Sequence, residues 1–501
     1  MLTGPWRPAA RLRRALSPRG ALALHRVDGA LSFALRAALA MALSALPMAL
    51  TGRADQAVYA MLGSFTTSFG RNLPYARRIR VLAVVALAMT ACVGGGVALA
   101  AWARPRDGEA GAVLTVVATA LVAGSAKFAC DAARLGGLGA VLLLVSFAVA
   151  ANGAATPADV LPRTALAAGG AAVAWALAVA GWSVYPDRTL RRQARALVGR
   201  RRRAPQILPD LALPVLIAQT GTLARPDSAV DPARASGPAP GAVDPTTLRA
   251  TESRAAELVT GPAHGRTAVL LVPALRMVLG TGVAGGSALA LGLGHGYWAA
   301  LSAAAVLHSI NVRTAAQRAV QRTLGTVVGL LLALGVLALE PRPMALVLVI
   351  VLLEFFLEYV VARNYGLGVV FLTPMALLLT DLAAPAPAGT LVQDRALSSV
   401  LGVALALGCA LAVVHDRAAV RAERALAACA VASERAEGAL EDGNAAVLPL
   451  VQARLAAAVV ELREADDAAA GELWPAEVDP TELAAAERRA YLLLDRLVRR
   501  G

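Results

Sequence analysis

Long apolar runs, separated by short polar or basic segments, dominate this sequence. Ten runs approach the roughly 20 residues that a membrane-spanning helix needs; they lie at about 29–50, 81–102, 110–127, 135–152, 164–184, 268–293, 323–339, 343–361, 365–381 and 396–414. Two shorter runs lie at 56–69 and 296–310. We count 56–69 as a crossing because the basic N-terminus and the basic segment 71–80 both favour the cytoplasmic side, which requires two crossings between them. The pattern predicts an all-α polytopic membrane protein with about twelve transmembrane helices.

The first six runs resemble the last six in sequence. Residues 31–36 (LSFALR) align without a gap with 271–276 (LVPALR), and 133–141 align with 362–370. Between these, 59–69 corresponds to 298–309 and the basic segment 71–80 to 313–322, while Arg163 aligns with Arg395. Matched segments in the same order indicate a duplicated membrane unit. Because six is an even number, the two six-helix repeats have the same orientation, and both chain ends are expected in the cytoplasm.

The composition changes at the borders of the two repeats. We predict a basic cytoplasmic N-terminus at 1–27, a first membrane repeat at 28–185, a cytoplasmic linker at 186–266, a second membrane repeat at 267–414 and a cytoplasmic helical tail at 415–501. The linker is rich in Pro, Gly, Asp and Ala and begins with many arginines, which either bind anionic lipid headgroups or only set the topology. The tail has apolar positions at helical spacing, which predicts a hairpin or a small bundle.

Composition excludes a soluble domain. The chain has 501 residues, of which 57% are hydrophobic and 16% charged, and its mean hydropathy is +0.61. Its net charge of +14 lies in short segments between apolar runs, a distribution explained by membrane topology and not by a nucleic-acid partner. No phosphate-binding loop, dinucleotide fingerprint or paired metal-binding histidines occur, so we expect no enzyme activity, no cofactor and no metal. The four cysteines have the character of small packing residues.

Charged residues inside the apolar runs are the best candidates for function, since each costs about 2.5–3.5 kcal/mol on insertion scales. Arg36 and Arg276 occupy matched positions on the first helix of each repeat; they either attract an anionic substrate or extend to the cytoplasmic headgroups. Glu354 and Glu358 lie four residues apart, on one face of the run 343–361, the tenth of the twelve. Such carboxyl groups either take up protons in a coupled transporter or pair structurally, with Lys127 as a further candidate for proton coupling or an ion pair.

Aromatic and kinked positions give a second set of candidates. Tyr297 and Trp298 head a short run, as Tyr59 does in the first half; they either anchor the protein at the membrane interface or stack against an aromatic substrate. Thr373 precedes Pro374 in the eleventh run, where its hydroxyl can satisfy the carbonyl that proline frees. The arginines of 71–80 and 313–322, among them Arg318 and Arg322, are interpreted as topological charge in loops, with an anion vestibule as the alternative.

These residues resemble the fusaric acid resistance protein-like family, which includes the aromatic acid exporters. The similarity is strongest at 297–302 (YWAALS), followed by 318–329 (RAVQRTLGTVVG), and it continues through Glu358, 364–365 and 373–374. In the first half, Lys127 to Cys130 with 134–137 is similar to the amino-terminal module of actinobacterial members. The resemblance covers both membrane halves, roughly 30–415. At 308–310 (HSI) the chain departs from the Gln-Pro type of turn found in many members, so no substrate contact is carried over there.

The resemblance implies a multi-pass protein of the bacterial inner membrane that exports small organic, mostly aromatic, acids by using the proton gradient. A distant likeness to plant aluminium-activated malate transporters implies a homodimer and, as the alternative function, a passive anion channel. A non-transporting envelope scaffold that acts through the tail and linker is the third hypothesis. The expected partners are therefore a small organic anion and the lipid bilayer.

Overall fold

The structure is a computed structural model and describes residues 29–70, 75–103, 108–133, 135, 139–180, 267–309, 312–412, 417–443, 447–470 and 480–500. Within these residues all regular structure is helical, which confirms the all-α prediction for this part of the chain. The predicted N-terminal segment 1–27 and the linker 186–266 lie outside the described residues. The described helices belong to two compact units, one formed by the membrane halves and one that contains the tail.

Six helices follow the first six apolar runs. They are α1 Ala30–Leu50, α2 Ala54–Ser64, α3 Tyr75–Ala103, α4 Glu109–Ala132, α5 Gly139–Ala151 and α6 Val160–Val179. A 3₁₀ turn, Phe65–Ser68, extends α2, and another, Pro157–Asp159, precedes α6. Each apolar run therefore forms one helical element, as the hydropathy pattern predicts.

Six further helices follow the later runs. They are α7 Thr267–Ala290, α8 Tyr297–Leu307, α9 Val312–Leu337, α10 Pro343–Val360, α11 Tyr365–Ala383 and α12 Ala388–Ala412. Glu354 and Glu358 lie on α10, as expected. The side chain of Asn364 accepts a hydrogen bond from the Leu367 N–H and so caps the start of α11.

Nine of the helices in the described part of the chain are long and apolar enough to cross a membrane. The remaining three described helices of the two membrane halves, α2, α5 and α8, have 11, 13 and 11 residues. At about 1.5 Å per residue they cover only about 16–20 Å of a ~30 Å hydrocarbon layer. The full-length span predicted at 135–152 was therefore wrong in its length. Every residue of α5 and α8 is buried, which is typical of apolar core helices that contact protein on all sides.

The outer surface of the long helices is apolar. On α1 the exposed side chains recur every four residues, at Leu31, Leu35, Leu39 and Leu43, and on α7 the matched positions Leu271, Leu275 and Leu279 are exposed in the same way. Such stripes are stable only against lipid or another apolar surface. The chain is thus a membrane protein with multiple apolar helices, whereas twelve complete crossings stay a prediction.

The same helix pairs pack together in both halves. In the first half α1 contacts α2 and α6, α6 contacts α2 and α3, and α5 contacts α3 and α4; α7 to α12 repeat each of these contacts at the corresponding places. The halves also interlock, because α10 packs on α1 and α4 packs on α7. The fourth helix of each half thus covers the first helix of the other.

Glycines allow the tightest of these contacts. A methyl group on Gly170 of α6 would overlap the carbonyl oxygen of Ala60 on α2, and one on Gly402 of α12 would overlap that of Ala299 on α8. Gly329 lets α9 approach α11 at Thr373 and Pro374. Helices in lipid associate through such close contacts of small residues. The hydrophobic effect does not drive this association, because lipid tails are as apolar as the helix surfaces.

The basic segments 71–80 and 313–322 are not loops as we predicted. Helix α3 already begins at Tyr75, and α9 begins at Val312, so most of these arginines lie in the first turns of long helices. Alanine, arginine and glutamine are strong helix formers, and they extend the helix beyond its apolar part. Arg80 is exposed, as topological charge should be, but Arg322 is 2% exposed.

The described part of the second unit consists of three helices, α13 Arg417–Asp442, α14 Leu448–Ala470 and α15 Pro480–Arg500. Each of the three contacts the other two, around an apolar core that includes Cys429, Leu455 and Leu494. Gly443, with a φ of 65°, follows the end of α13. The Arg489 guanidinium donates to both carboxylate oxygens of Glu437, at 2.7 and 3.1 Å, and lowers the pKa of that carboxyl. The tail is thus a small bundle.

We predict that Gly402→Ala lowers the free energy of unfolding by about 1–3 kcal/mol, because the added methyl must push α12 away from α8. Gly408→Ala on the same helix is the matched control, since a methyl there meets no atom within 4 Å. The midpoints of thermal unfolding in detergent give the comparison. Equal midpoints for the two variants would show that the contact between α8 and α12 is not tight.

Candidate functional site

Among the described residues of the membrane unit, the most deeply buried cation is Arg395, which no sequence argument above placed in a site. It lies on α12 and is 1% exposed. Its guanidinium carbon lies 4.0 Å from the centre of the Trp298 ring on α8, a cation–π contact. Its Nε and Nη1 atoms are buried and have no hydrogen-bond acceptor in the described part of the chain. The cation is thus held against an aromatic face while two of its donor atoms remain unused.

A second buried arginine lies close to the first. Arg322 on α9 is 2% exposed, and its Nε and Nη1 atoms also have no acceptor among the described residues. The main groups that act electrostatically on Arg395 are Arg322, which repels it, and the hydroxyls of Tyr297 and Tyr365; none of them is a carboxylate. One turn earlier on α9, Arg318 lies over the Tyr365 ring at 5.4 Å. Among the described residues no carboxylate is a main electrostatic partner of Arg395, and the neighbouring acid of α12, Asp394, pairs with His295 at 2.8 Å.

Small polar groups surround the two arginines on the same helix faces. Buried side-chain atoms with no partner in the described chain include Trp298 Nε1, Ser302 Oγ, Thr326 Oγ1, Ser398 Oγ and Ser399 Oγ. Ser302 lies one turn after Trp298, Thr326 one turn after Arg322, and the two serines one turn after Arg395, so all face the same region. An array of N–H and O–H donors around two cations is the chemistry that binds an anion.

In the first half the counterpart of Arg395 is Arg163, which finds its hydrogen-bond acceptors within the chain. Arg163 on α6 lies over the Tyr59 ring at 4.8 Å. Its Nη1 donates to the Tyr59 hydroxyl at 2.6 Å and to the carbonyl of Ala154, and its Nη2 lies 3.5 Å from Asp159 Oδ2. The hydrogen-bonding capacity that stays unused in Arg395 is thus satisfied within the chain.

The carboxyl groups of α10 lie in a different place. Glu354 and Glu358 are 1% and 5% exposed, on the helix that packs against α1 and α11. The two interact electrostatically, and Glu354 Oε2 has no hydrogen-bond partner in the described chain. Lys127, 7% exposed on α4, forms an ion pair with Asp131 on its own helix at 2.8 Å. The structure therefore gives Lys127 a nearer partner than the pairing with Glu354 or Glu358 that we considered.

Arg276 and Arg36 occupy matched positions but have different surroundings. Arg276 Nη2 donates to the carbonyl oxygens of Leu307 and Ser309, at 3.2 and 2.8 Å, and so satisfies the C-terminus of α8. Arg36 is half-buried. Extension to the headgroups does not describe Arg276, whose guanidinium fixes a neighbouring helix end. A substrate contact for either arginine stays a prediction.

Tyr297 and Trp298 are not interface anchors, because they are 6% and 1% exposed inside the helix packing. Tyr297 exchanges a hydrogen bond of 3.2 Å with Thr380, and its ring lies 4.6 Å from that of Trp298. The proposed role of the Thr373 hydroxyl was also wrong: it is fully buried and has no partner in the described chain, so it does not satisfy the carbonyl freed by Pro374.

Comparison with known proteins finds a similarity to one family in part of the chain. Residues 283–409 match the family model described as fusaric acid resistance protein-like. The second half carries a fusaric acid resistance protein-like segment. A curated relative, the uncharacterized membrane protein YvaC of Bacillus subtilis (strain 168), is 40% identical over 121 residues, which are 23% of this chain and 19% of that protein. The match thus spans about a fifth of the relative's length. No solved structure matches the chain.

The fusaric acid resistance protein-like segment contains Arg318, Arg322 and Arg395 together with Glu354 and Glu358. The candidates Arg36, Lys127 and Arg276 lie outside it. The likeness of the first half to this family stays a prediction. One signal for Arg395 was present in the sequence, namely its alignment with Arg163, but the exposure of an arginine near a helix start cannot be read from hydropathy. The described residues contain no group of three or more potential metal ligands.

We predict that Arg276→Gln lowers the free energy of unfolding by about 1–3 kcal/mol, because the carbonyls of Leu307 and Ser309, inside the fusaric acid resistance protein-like segment, lose their donor. Arg36→Gln is the matched control and should change stability less. Thermal unfolding in detergent measures both. A stable Arg276→Gln protein with impaired transport would instead favour a substrate contact.

Proposed function

We propose that this protein exports small organic acids, aromatic ones among them, across the bacterial inner membrane. The observation that carries the proposal is the pair of buried arginines, Arg322 and Arg395, inside the apolar helices of the fusaric acid resistance protein-like segment. A buried cation costs several kcal/mol unless an opposite charge accompanies it. A carboxylate that passes through the protein supplies that charge, and Trp298 and Tyr297 offer aromatic faces beside it.

Proton coupling is the second part of the proposal. Glu354 and Glu358 are buried four residues apart on α10, and two neighbouring buried carboxyl groups do not both ionise easily. At least one can therefore exchange a proton as the protein moves between states that open to opposite sides. Glu358, which the sequence resemblance includes, is the better candidate. Lys127 is carried as a weaker one, because Asp131 already compensates its charge.

The proposed architecture is two six-helix repeats in one orientation, with both chain ends in the cytoplasm. The equal packing of helices in the two halves and the matched leucine stripes of α1 and α7 support it. In this architecture the short helices α2, α5 and α8 each count as one crossing, although none of them is long enough to span the hydrocarbon layer alone. Assembly as a homodimer stays a prediction.

We predict that Arg53→Cys and Arg342→Cys, placed between α1 and α2 and between α9 and α10, react with a membrane-impermeant thiol reagent in intact cells. Both positions are exposed and lie on the outer side in the proposed topology. Glu423→Cys in the exposed surface of α13 should react only after permeabilisation. All three are made in a chain whose four cysteines are replaced by serine, and labelling of Glu423→Cys in intact cells would refute the topology.

We predict that proteoliposomes with an imposed pH gradient accumulate labelled benzoate, and that Glu358→Gln removes the accumulation, because a glutamine cannot carry the proton. Glu354→Gln reports on the second carboxyl group. Passive flux down a benzoate gradient, measured without a pH gradient, is the control for folding of both variants.

Other results of this experiment separate the alternatives. Flux that ignores the pH gradient and both glutamine substitutions, but is lost in Arg395→Gln, identifies a passive anion channel. A chain that supports no flux of benzoate, and whose cellular function is lost only when 415–501 are deleted, identifies a scaffold.

A further inference from the structure

We propose that each chain holds one substrate carboxylate, bound in the second half between Arg322 and Arg395, in the place that Asp159 fills for Arg163 in the first half. The inference rests on the proposed function only in assigning that carboxylate to a transported acid. Arg322 and Arg395 each have two buried donor atoms without a hydrogen-bond partner in the described part of the chain. The comparison of the two halves shows which acceptors the described part of the second half lacks.

The two arginines occupy equivalent positions in equivalent helix packing. Arg163 precedes Gly170 by seven residues on α6, and Arg395 precedes Gly402 by seven on α12. Each glycine lies against the carbonyl of the alanine that follows the stacked aromatic residue, Ala60 after Tyr59 and Ala299 after Trp298. Both guanidinium groups lie over that aromatic ring. The register is therefore the same, and differences in hydrogen bonding come from the side chains.

In the first half the chain supplies its own anion. Asp159 lies one turn before Arg163, and its Oδ2 accepts hydrogen bonds of 2.8 Å from both the N–H and the hydroxyl of Thr156. The fixed carboxylate and the Tyr59 hydroxyl compensate the guanidinium. No anion is required there, and the site is closed.

In the second half both acceptors are replaced. The residue one turn before Arg395 is Leu391, which is fully buried, and the tyrosine position holds Trp298, whose indole N–H only donates. Donors are added at the same time: Ser302, Ser398 and Ser399 stand where the first half has Gly63, Leu166 and Ala167. Acceptors are lost and donors gained at matched positions, which is the exchange expected if an anion enters.

The second cation also differs between the halves. The sequence alignment places Arg322, which is 2% exposed, opposite Arg80, which is exposed; the buried arginine of the first-half segment is instead Arg78, which is 6% exposed. Two guanidinium groups form charge-assisted, often bidentate, hydrogen bonds to a carboxylate. The Trp298 ring, already in contact with Arg395, adds an apolar wall. The ligand class is a monocarboxylate whose body is apolar.

Equilibrium binding of labelled benzoate to the purified full-length protein in detergent, followed by a scintillation proximity assay, tests this. Wild type should bind one benzoate per chain. Arg395→Gln and Arg322→Gln should each weaken binding about ten-fold to a hundred-fold, since a hydrogen bond to a charged group is lost. Arg163→Gln is the matched control; it should leave binding unchanged while lowering the thermal midpoint.

The most decisive variant reproduces the Asp159–Arg163 ion pair of the first half at the matched position of the second half. In Leu391→Asp a carboxylate stands one turn before Arg395, as Asp159 does before Arg163, and it should abolish benzoate binding by occupying the site. Leu391→Asn has the same size without the charge and should bind benzoate more tightly than Leu391→Asp. The Asp variant should also unfold at the higher temperature, because it compensates the buried arginine, so a loss of binding is not a loss of folding.

Each outcome decides between the two proposals. Saturable binding that falls in the Arg395 and Leu391→Asp variants, without benzoate flux in proteoliposomes, supports the site and refutes export. Flux and binding that survive both variants refute the site and leave export standing. Wild type that binds neither benzoate nor acetate saturably overturns the site, as does binding that depends on Arg163.

Discussion

Close approach of helices through small residues is the constraint on which the membrane unit depends. Where α12 meets α8, Gly402 leaves room for only the carbonyl of Ala299, and α6 meets α2 in the same way at Gly170. These contacts fix the rotation of each helix about its axis, and so they decide which side chains seven residues earlier point inward. The position of Arg395 on the Trp298 ring is a consequence of backbone packing two turns away. The hydrophobic effect does not hold helices together in lipid, so van der Waals contacts and polar interactions stabilise this helix packing.

Charge burial adds a second condition. An arginine inside such packing is tolerated where acceptors surround it, as Tyr59, Ala154 and Asp159 surround Arg163. Arg276 meets the same condition by donating to the end of α8. Arg322 and Arg395 do not meet it within the described chain, and the free energy stored in that mismatch is available to an incoming anion. A site of this kind binds neutral molecules weakly and binds carboxylates selectively, because only an anion compensates the two guanidinium charges.

Hydropathy alone located every helix of the membrane unit, because an apolar run in a chain this poor in charge has no other stable form. It misjudged the length of α5, since an apolar run does not reveal whether lipid or protein surrounds it. It also placed 313–322 in a loop, because topological rules assign arginines to water even where helix propensity carries them inward. The matched pair Arg36 and Arg276 was visible in the sequence as charge inside apolar runs. The matched pair Arg163 and Arg395 was equally visible, but its meaning depended on neighbours that only packing brings together.

The interlocked halves have the form of a dimer interface written into one chain. Helix α10 covers α1 and α4 covers α7, so each half offers the other the same surface, as the two subunits of an isologous pair do. A single six-helix unit with these faces leaves its first helix uncovered until a second copy arrives. Such a pair of identical chains carries two identical arginine positions, both open or both closed. Joining the copies in one chain removes that identity, so that Asp159 can neutralise Arg163 permanently while the donor atoms of Arg395 serve a ligand.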